Sequence, residues 1–338
     1  MGDKMSTHSN VRCCEQSQAP RKPNLKILDC TIRDGGICNE WQFSPNFVRS
    51  TFQALRASGI DYMEVGYRTK EGVFSEDDVG PWRFCREEAL ADVLEESDMR
   101  ISTMVDIGRI QKEDIPAAND TLIDVVRIAT YAHQLDEAQI ILDHCLEQGY
   151  ETFMNVMAVS TLTPSEIDDF LQKLARSGTH NVAIVDSFGS LFPHHITQLV
   201  AQYRAQLGPD INIGVHCHNN QQQAFANSIA AIHAGVDFVD ATLHGMGRGA
   251  GNCPLELLLL YLEEPRYDVR PILPLLEDFA NLKDDLRWGY QLPYAMTGHY
   301  NLHPRSGIDK MRTQERNQVQ DMFNTFAKRA AQPKKKIG

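Results

Sequence analysis

Positive charge is in short supply in this sequence of 338 residues. It contains 33 Lys and Arg residues against 45 Asp and Glu residues, which gives a formal net charge of -12 at pH 7. A protein that binds the phosphate backbone of nucleic acid normally carries a basic face that displaces counterions. We therefore do not expect a nucleic-acid partner.

Long apolar runs are absent too. No run reaches the roughly 18 to 20 residues that span a bilayer. The N-terminal segment MGDKMSTHSNVRCCEQSQAPRKPN has no apolar centre of the kind found in signal peptides. The sequence thus predicts a cytoplasmic protein without a membrane partner.

Cysteine pairs of the C-x-x-C type are also missing. The eight cysteines are scattered and none forms a C-x-x-C pair, which argues against a zinc knuckle and against a disulfide framework. Free thiols in reducing surroundings fit this pattern.

What the sequence does contain is an alternation of short β-rich segments with segments of helical periodicity. The eight β-rich segments are LKILDCTI, DYMEVGY, RISTMVDI, VVRIATY, TFMNVMAVS, NVAIVDSFG, INIGVHCHN and FVDATLHG. Stretches between them, such as SPNFVRSTFQALRASGI, begin at Ser-Pro or Thr-Pro and end at Gly, which is typical of helices. Eight strands favour an α/β fold of the (β/α)8 TIM barrel type over a doubly wound sheet.

The chain divides into four parts on this interpretation. We predict a disordered leader at residues 1–24, a barrel at 25–262, a small C-terminal helical extension at 263–327 and a basic tail at 328–338. The aromatic residues of the extension also suggest a homo-oligomer.

Polar side chains gather where the predicted strands end. In a (β/α)8 barrel the active site lies at the C-terminal ends of the strands. The first strand is expected to end in Arg33 and Asp34, the second carries Glu64, and the sixth is followed by Ser187. These side chains are therefore candidates for the active site.

The strongest chemical signal is the pair His216 and His218 on the seventh strand. Side chains two residues apart on a strand point to the same side, so both imidazoles can face one ion, although paired histidines also occur as ordinary core or loop residues. Closing the barrel brings Asp34 and Asn252 toward the same mouth. Two imidazoles, a carboxylate and an amide oxygen suit a divalent metal ion, Mn2+ or Mg2+ first and Co2+ or Zn2+ as alternatives.

Arg33 allows two interpretations. Its guanidinium could form a salt bridge that closes the barrel end, or it could face an oxyanion that the metal also touches. Glu64 lies on a strand that should be buried, and a buried carboxylate needs a partner such as Arg33. We therefore place Glu64 at the substrate-binding site as the residue that orients Arg33, not as an acid catalyst.

With these residues in place, the sequence resembles the metal-dependent barrel family of 3-hydroxy-3-methylglutaryl-CoA lyase, 2-isopropylmalate and homocitrate synthases, and 4-hydroxy-2-oxovalerate aldolase. The matching pieces are DCTIRDGG, EVGY, DSFG and HCHNNQQQAFANSIAAIHAGVDFVDATLHGMGRGAGN, all within residues 25–262. Two pieces, GMGRGAGNCPLE and GYQLPY, are most similar to the aldolase branch.

The resemblance implies a site and a reaction. A divalent ion would be held by Asp34, His216 and His218, with Asn252 near or among the ligands, and pyruvate would bind that ion. Arg33 would stabilise the enolate that forms when a carbon–carbon bond is made or broken.

Further roles and partners come with the same resemblance. Ser187 would contact the substrate carboxylate, and Tyr294 would lie at the mouth as a catalytic residue. Aldolases of this kind often work joined to an aldehyde dehydrogenase, so such a partner enters as a hypothesis.

One position departs from the aldolase pattern. These aldolases follow Arg-Asp-Gly with one residue and then a histidine that moves a proton, whereas this chain has Ile37 there. The alternatives are His244, His299, His303 or a water on the metal, and we count His244 among the candidate catalytic residues. The cysteine loop of the lyase branch and the Glu-Gln of the synthase branch are not reproduced either.

Three functions follow, in order of preference. The first is a metal-dependent carbon–carbon lyase, an aldolase that makes or cleaves a 4-hydroxy-2-oxo acid from small 2-oxo acid and aldehyde substrates. The second is a Claisen-type synthase or acyl-CoA lyase on the same scaffold. The third is a catalytically silent barrel that acts as a binding partner, which Ile37 motivates and the intact polar set opposes.

Overall fold

Eight parallel strands form a closed barrel in the computed structural model, which describes residues 24–70, 72–75, 77–262 and 265–332. The strands are β1 (Lys26–Asp29), β2 (Tyr62–Tyr67), β3 (Arg100–Asp106), β4 (Val125–Thr130), β5 (Glu151–Val156), β6 (Asn181–Asp186), β7 (Asn212–Cys217) and β8 (Phe238–Ala241). Each strand pairs with the next in sequence, and β8 pairs with β1 to complete the ring. The predicted (β/α)8 fold is confirmed, and each predicted β-rich segment contains one strand.

Helices lie between the strands and continue beyond the last one, except that the segment between β3 and β4 forms only short 3-10 turns at Lys112–Asp114 and Ala118–Asp120. The helices are α1 (Thr31–Asn39), α2 (Pro45–Ala57), α3 (Glu87–Val93), α4 (Leu135–Glu147), α5 (Pro164–Leu174), α6 (Pro193–Leu207), α7 (Ala224–Ala234), α8 (Leu255–Leu262), α9 (Leu273–Leu286), α10 (Leu292–His299), α11 (Arg305–Met311) and α12 (Val319–Ala330). Two of them start where the sequence predicts. Ser44 Oγ accepts a hydrogen bond from the first turn of α2, and Thr163 and Glu166 form a reciprocal capping box at α5.

An apolar layer fills the lower part of the barrel interior. It includes Leu28, Tyr62, Val125, Phe153 and Phe238. The rings of Tyr62, Phe153 and Phe238 meet edge to face, with centroids 4.8 to 6.3 Å apart. This layer closes the bottom of the barrel, so that polar and charged side chains can occupy the interior positions above it.

A charged layer lies directly above the apolar one. Glu64, Arg127 and Asp240 each follow a member of the apolar layer by two residues, and side chains two apart on a strand share a face. All three are buried inside the barrel. The strand ends therefore carry charge into a space that the sheet shields from solvent.

The first strand ends earlier than the sequence predicts. β1 stops at Asp29, and Arg33 and Asp34 lie in α1, so the prediction that they end a strand was wrong. The Asp29 carboxylate accepts hydrogen bonds from Thr31 N (3.0 Å) and from the Thr31 hydroxyl (2.7 Å). This local side-chain bonding turns the chain from strand into helix.

Gly36 in α1 makes room for an aromatic ring and does not form a turn. A Cβ atom at Gly36 would lie 2.1 Å from Trp41 Cδ1, so the indole packs against bare backbone. Trp41 Nε1 also donates to the Arg33 carbonyl at 3.0 Å. Trp41 thereby holds the helix that carries Arg33 and Asp34.

The extension covers part of the barrel mouth. Asn220, which follows β7, donates to Tyr294 O (3.1 Å) and to Thr297 Oγ1 (3.2 Å) of α10. Asn301 Nδ2 donates to Ser160 O (2.7 Å) beyond β5. Within the predicted helical extension, helical periodicity is clear on both sides of residues 289–307, but the prolines of that segment resemble a loop, so α10 and α11 are not predicted. The proline of α10 sits in the first turn, where a helix tolerates it.

Some predictions concern the chain ends. The predicted leader lies outside the described residues except for Asn24, and the predicted basic tail does so from residue 333 onward. In the part of the chain that the structure describes, no helix combines the length and apolar character needed to cross a membrane.

Candidate active site

Two buried imidazoles face each other at the end of β7. His216 is in the strand, and His218 lies just beyond it, where it bridges to Asn252. The ring centroids of the two histidines are 5.0 Å apart. The spacing of two residues thus places both rings at the barrel mouth, as the sequence predicts.

Asp34 on α1 joins this pair. Asp34, His216 and His218 are all buried, and each offers a potential ligand atom within 4.8 Å of those of the other two. A carboxylate with two imidazoles is a donor set that suits a divalent metal ion.

Asn252 supplies a further observation in favour of an ion. Its Nδ2 donates to Asp34 Oδ2 (2.7 Å) and to Met246 O (3.2 Å). Its Oδ1 is buried and has no hydrogen-bond partner among the described residues. Because a buried acceptor without a partner is costly, the orphaned oxygen fits a fourth metal ligand.

The tautomers of the two histidines also suit an ion. His216 Nδ1 lies 2.9 Å from Asp240 Oδ2, and His218 Nδ1 lies 3.3 Å from Gly251 O. A carboxylate and a carbonyl can only accept, so Nδ1 donates a proton in both rings and Nε2 is the nitrogen that could bind an ion. Burial lowers the pKa of His218 well below its usual value, which keeps this imidazole neutral.

Four buried ion pairs connect Asp34 to Asp240 across the barrel, a hydrogen bond continues from Asp240 to His216, and we refer to the whole series as the ion-pair chain. Its links are Asp34 Oδ1 to Arg33 Nη1 (2.6 Å), Arg33 Nε to Glu64 Oε2 (2.7 Å), Glu64 Oε2 to Arg127 Nη1 (3.2 Å), Arg127 Nη2 to Asp240 Oδ2 (2.6 Å) and Asp240 Oδ2 to His216 Nδ1 (2.9 Å). Each charged group has a partner of opposite sign, which offsets the cost of its burial.

Opposite charges set the protonation states in the ion-pair chain. Burial alone would raise the pKa of Asp34, but the positive charge of the neighbouring Arg33 lowers it well below its usual range. Burial would also raise the pKa of Asp240, but the positive charge of Arg127 outweighs this effect and the pKa is lowered. Both groups are therefore carboxylates at neutral pH.

Arg248 links this site to the end of β6. Its backbone N donates to Asp34 Oδ2 (3.2 Å), and its guanidinium donates to the Ser187 carbonyl. Ser187 Oγ accepts from Ala158 N (2.8 Å), so the hydroxyl proton of Ser187 is left to donate elsewhere.

The other predicted residues lie around the mouth. Tyr294 is buried in α10 beside Gly249, and burial raises its pKa to about 12. His244 contacts Glu256 and Trp288 and is not in the group of Asp34, His216 and His218.

Three more positions concern the histidine that moves a proton in the aldolases: Ile37, which replaces it, and the candidate substitutes His299 and His303. Ile37 packs against the hydrophobic core from α1. His299 stacks edge to face on Tyr300, and His303 does so on Phe188. Burial lowers the pKa of His303 to about 4.

Sequence reasoning missed Arg127, Asp240 and Arg248. The segments VVRIATY and FVDATLHG were identified as strands, but the one charged residue at the centre of each was not singled out. A charge inside an otherwise apolar strand must find a partner, and this signal could have identified Arg127 and Asp240.

Gly247 is required by the packing around Asn252. A Cβ atom at Gly247 would lie 2.2 Å from Asn252 Nδ2 and 2.6 Å from Asp34 Oδ2. We expect Gly247→Ala to displace both side chains and to weaken Mn2+ binding by at least about tenfold, as measured by isothermal titration calorimetry. Gly208→Ala is the control for backbone strain alone: its φ of +76° strains an alanine, but no atom lies within 4 Å of a Cβ there, so Mn2+ binding should not change. Equal binding by the two variants would contradict the assignment.

The sequence pattern of the HMGL-like family matches residues 24–281. The chain belongs to the HMGL-like family. The resemblance inferred from the motifs is confirmed, and the HMGL-like aldolases depend on a divalent metal ion, consistent with the donor set described above.

Relatives of this HMGL-like chain are lyases. A 4-hydroxy-2-oxovalerate aldolase of Serratia proteamaculans is 34% identical over 242 residues, which cover 71% of each chain. An oxaloacetate decarboxylase of Mycobacterium tuberculosis is 30% identical over 240 residues, covering 70% of this chain and 69% of the relative. The prediction of a lyase is thereby confirmed.

A solved structure supports the same placement. The N-terminal domain of a candidate aldolase from Bacteroides vulgatus is 32% identical, with a TM-score of 0.77. The match covers 88% of this chain and all of that domain. The likeness therefore includes much of the extension as well as the barrel.

Proposed function

We propose that this protein is a divalent-metal-dependent aldolase that makes or cleaves a 4-hydroxy-2-oxo acid through a pyruvate enolate. The observation that carries the proposal is the convergence of Asp34, His216 and His218 on one point, with Arg33 held beside them. Relatives named 4-hydroxy-2-oxovalerate aldolase support the same reaction class.

The residues that would hold the ion are Asp34, His216, His218 and Asn252. When bound, a divalent ion acts as a Lewis acid that polarises the ketone oxygen of the 2-oxo acid. Asp240 fixes the tautomer and the orientation of His216 through the hydrogen bond to Nδ1. We propose Mn2+ or Mg2+, because carboxylate and amide oxygens make up half of this donor set.

Arg33 is placed to stabilise the enolate oxygen. Its described hydrogen bonds use Nε toward Glu64 and Nη1 toward Asp34. Nη2 is the group that can meet the developing negative charge, and two carboxylates keep the guanidinium from moving. Glu64 therefore acts through Arg33.

Ser187 and Tyr294 would orient the substrates. The Ser187 hydroxyl can donate to the carboxylate of pyruvate, since its oxygen already accepts from the backbone. Tyr294, with its pKa raised by burial to about 12, stays protonated at neutral pH. It is suited to donate a hydrogen bond to the aldehyde oxygen and not to act as a base.

The proposal predicts exchange of the pyruvate methyl protons. In deuterated water with Mn2+ and without any aldehyde, the protein should incorporate deuterium into the methyl group of pyruvate. Proton NMR measures this exchange as loss of the methyl signal. His218→Ala removes a proposed metal ligand. It should therefore reduce the exchange rate by more than the ~10- to 100-fold that follows the loss of a residue hydrogen-bonded to a ligand. The exposed His180→Ala is the matched control. Absence of exchange with every divalent ion tested would refute the enolate mechanism.

A second candidate is decarboxylation of a 2-oxo dicarboxylic acid such as oxaloacetate. Ile37 favours it, because loss of CO2 from a carboxylate gives the same enolate without a base that deprotonates a hydroxyl group. The Mycobacterium tuberculosis relative is named for this reaction. We expect the decarboxylation rate, measured by pyruvate release from oxaloacetate, to exceed aldol cleavage if Ile37 marks a lost base; the reverse order would favour the aldolase.

The remaining partner and location hypotheses stay predictions. They are a homo-oligomer, an aldehyde dehydrogenase partner and a cytoplasmic location.

A further inference from the structure

A separate cavity lies between the barrel mouth and the extension. Its volume is about 770 Å3. One wall is formed by residues that follow three consecutive strands, namely Tyr131, Met157 and Phe188. The facing wall is formed by Leu302 and His303, which follow α10. The extension therefore encloses a space at the same end of the barrel as the ion-pair chain.

Arg248 connects the cavity to the proposed active site. Phe188 follows Ser187, whose carbonyl accepts a hydrogen bond from the Arg248 guanidinium, and Arg248 N donates to Asp34. The positive charge of Arg248 also acts on the cavity residues Tyr131 and His303, whose pKa values respond first to burial and next to this arginine. The Phe188 side of the cavity thus lies next to Arg248, whose side chain donates to Ser187 and whose backbone N donates to Asp34.

The size of the cavity does not suit a very small aldehyde. A volume of about 770 Å3 lies within the ~300 to 1,000 Å3 of cavities that hold ligands of drug size. Acetaldehyde has only three non-hydrogen atoms, so it would leave most of this space to water.

The lining indicates the chemistry of the occupant. Its apolar side chains include Met157, Leu162, Phe170, Phe188 and Leu302. Two acidic residues, Glu166 and Asp169, and two basic residues, Lys173 and Arg329, also contribute to the lining. An apolar body of substantial size would be bound better than a compact polar one.

We propose that this cavity is the acceptor subsite and that it takes an aldehyde with a bulky apolar body. The inference rests on the proposed aldolase function. In the addition, C3 of the pyruvate enolate bonds to the aldehyde carbon. The carbonyl π electrons move to the aldehyde oxygen, which takes up a proton and becomes the 4-hydroxyl group. No oxidant or further reactant is needed.

Competition between two aldehydes tests the subsite. With the Mn2+-loaded protein and pyruvate, kcat/KM for 3-phenylpropanal should exceed that for acetaldehyde by at least about tenfold. Leu162→Trp and, independently, Leu302→Trp fill the cavity and should remove this preference. Leu260→Trp on α8, where the side chain is 57% exposed, is the matched control that should retain it. Circular dichroism reports whether each variant folds.

Two further readouts separate this inference from the proposed function. Exchange of pyruvate protons by the unmodified protein needs no aldehyde and tests the enolate alone. Saturation-transfer NMR with 3-phenyl-1-propanol and metal-free protein tests the cavity alone, and both cavity variants should lose the signal. Exchange without a preference for 3-phenylpropanal, or an NMR signal unchanged in both variants, would overturn the acceptor subsite. Loss of exchange with an NMR signal that depends on Leu162 and Leu302 would overturn the aldolase and with it the acceptor role, and would leave only the binding of an apolar body in the cavity.

Discussion

Replacing Arg33 with lysine is expected to lower the rate of pyruvate proton exchange by about 10²- to 10³-fold. The guanidinium is held by Glu64 at 2.7 Å and by Asp34 at 2.6 Å. Lysine keeps the charge, but its three N–H donors sit on one nitrogen and cannot reproduce the rigid fork in which Nε and Nη1 contact separate carboxylates while Nη2 meets an enolate oxygen. The loss should appear in kcat more than in KM, since the interaction forms mainly as charge develops.

The matched control is Arg49→Lys on the surface of α2, where Arg49 pairs with Asp92 in a partly exposed ion pair. This change should leave the exchange rate unaltered. If Arg33→Lys exchanges pyruvate protons as fast as the unmodified protein while remaining folded, Arg33 serves only to close the barrel end, which is the simpler of its two interpretations.

Replacing Arg127 with methionine is expected to lower the free energy of unfolding by about 3 to 5 kcal/mol. The side chain is 1% exposed and contacts Glu64 at 3.2 Å and Asp240 at 2.6 Å. Methionine has an apolar side chain but leaves Asp240 buried without its arginine, and an uncompensated buried charge is costly. Urea denaturation of the metal-free protein measures the change.

Two companion variants show whether charge or packing is responsible. Arg127→Met combined with Asp240→Asn removes the stranded charge and should recover part of the loss. Arg49→Met, on the surface, should cost no more than about 1 kcal/mol. A loss of similar size in Arg127→Met and in the double variant would indicate that arginine fills space and that its charge matters little.

The strands could be predicted from the sequence because each combines β-branched residues with clear boundaries. VVRIATY and NVAIVDSFG are short, apolar and flanked by turn residues, and both contain strands. The first strand was predicted too long because apolar alternation continues through Thr31 and Ile32. The hydrogen bonds from Thr31 to Asp29 end the strand there. The apolar–polar alternation of the sequence continues past Asp29 all the same, so this pattern does not reveal where the strand ends.

The predicted ligands could be found because their chemistry is local. His216 and His218 stand two residues apart, and the C-terminal ends of barrel strands meet at one mouth. The partners of Arg127 could not be found in this way. They lie on β2 and β8, neither of which is a sheet neighbour of β4, so the contacts exist only across the interior of the closed barrel.

The ion-pair chain has a geometric consequence. It begins at Asp34 and ends at His216, and these two residues are also proposed to donate to the same ion. The links by themselves form an open line that starts on α1 and ends on β7. A cation between them would join the ends and make a ring that passes through four strands, β2, β4, β7 and β8, and through α1. The bound ion would then connect α1 to β7 across the barrel mouth, in addition to its role in the chemistry.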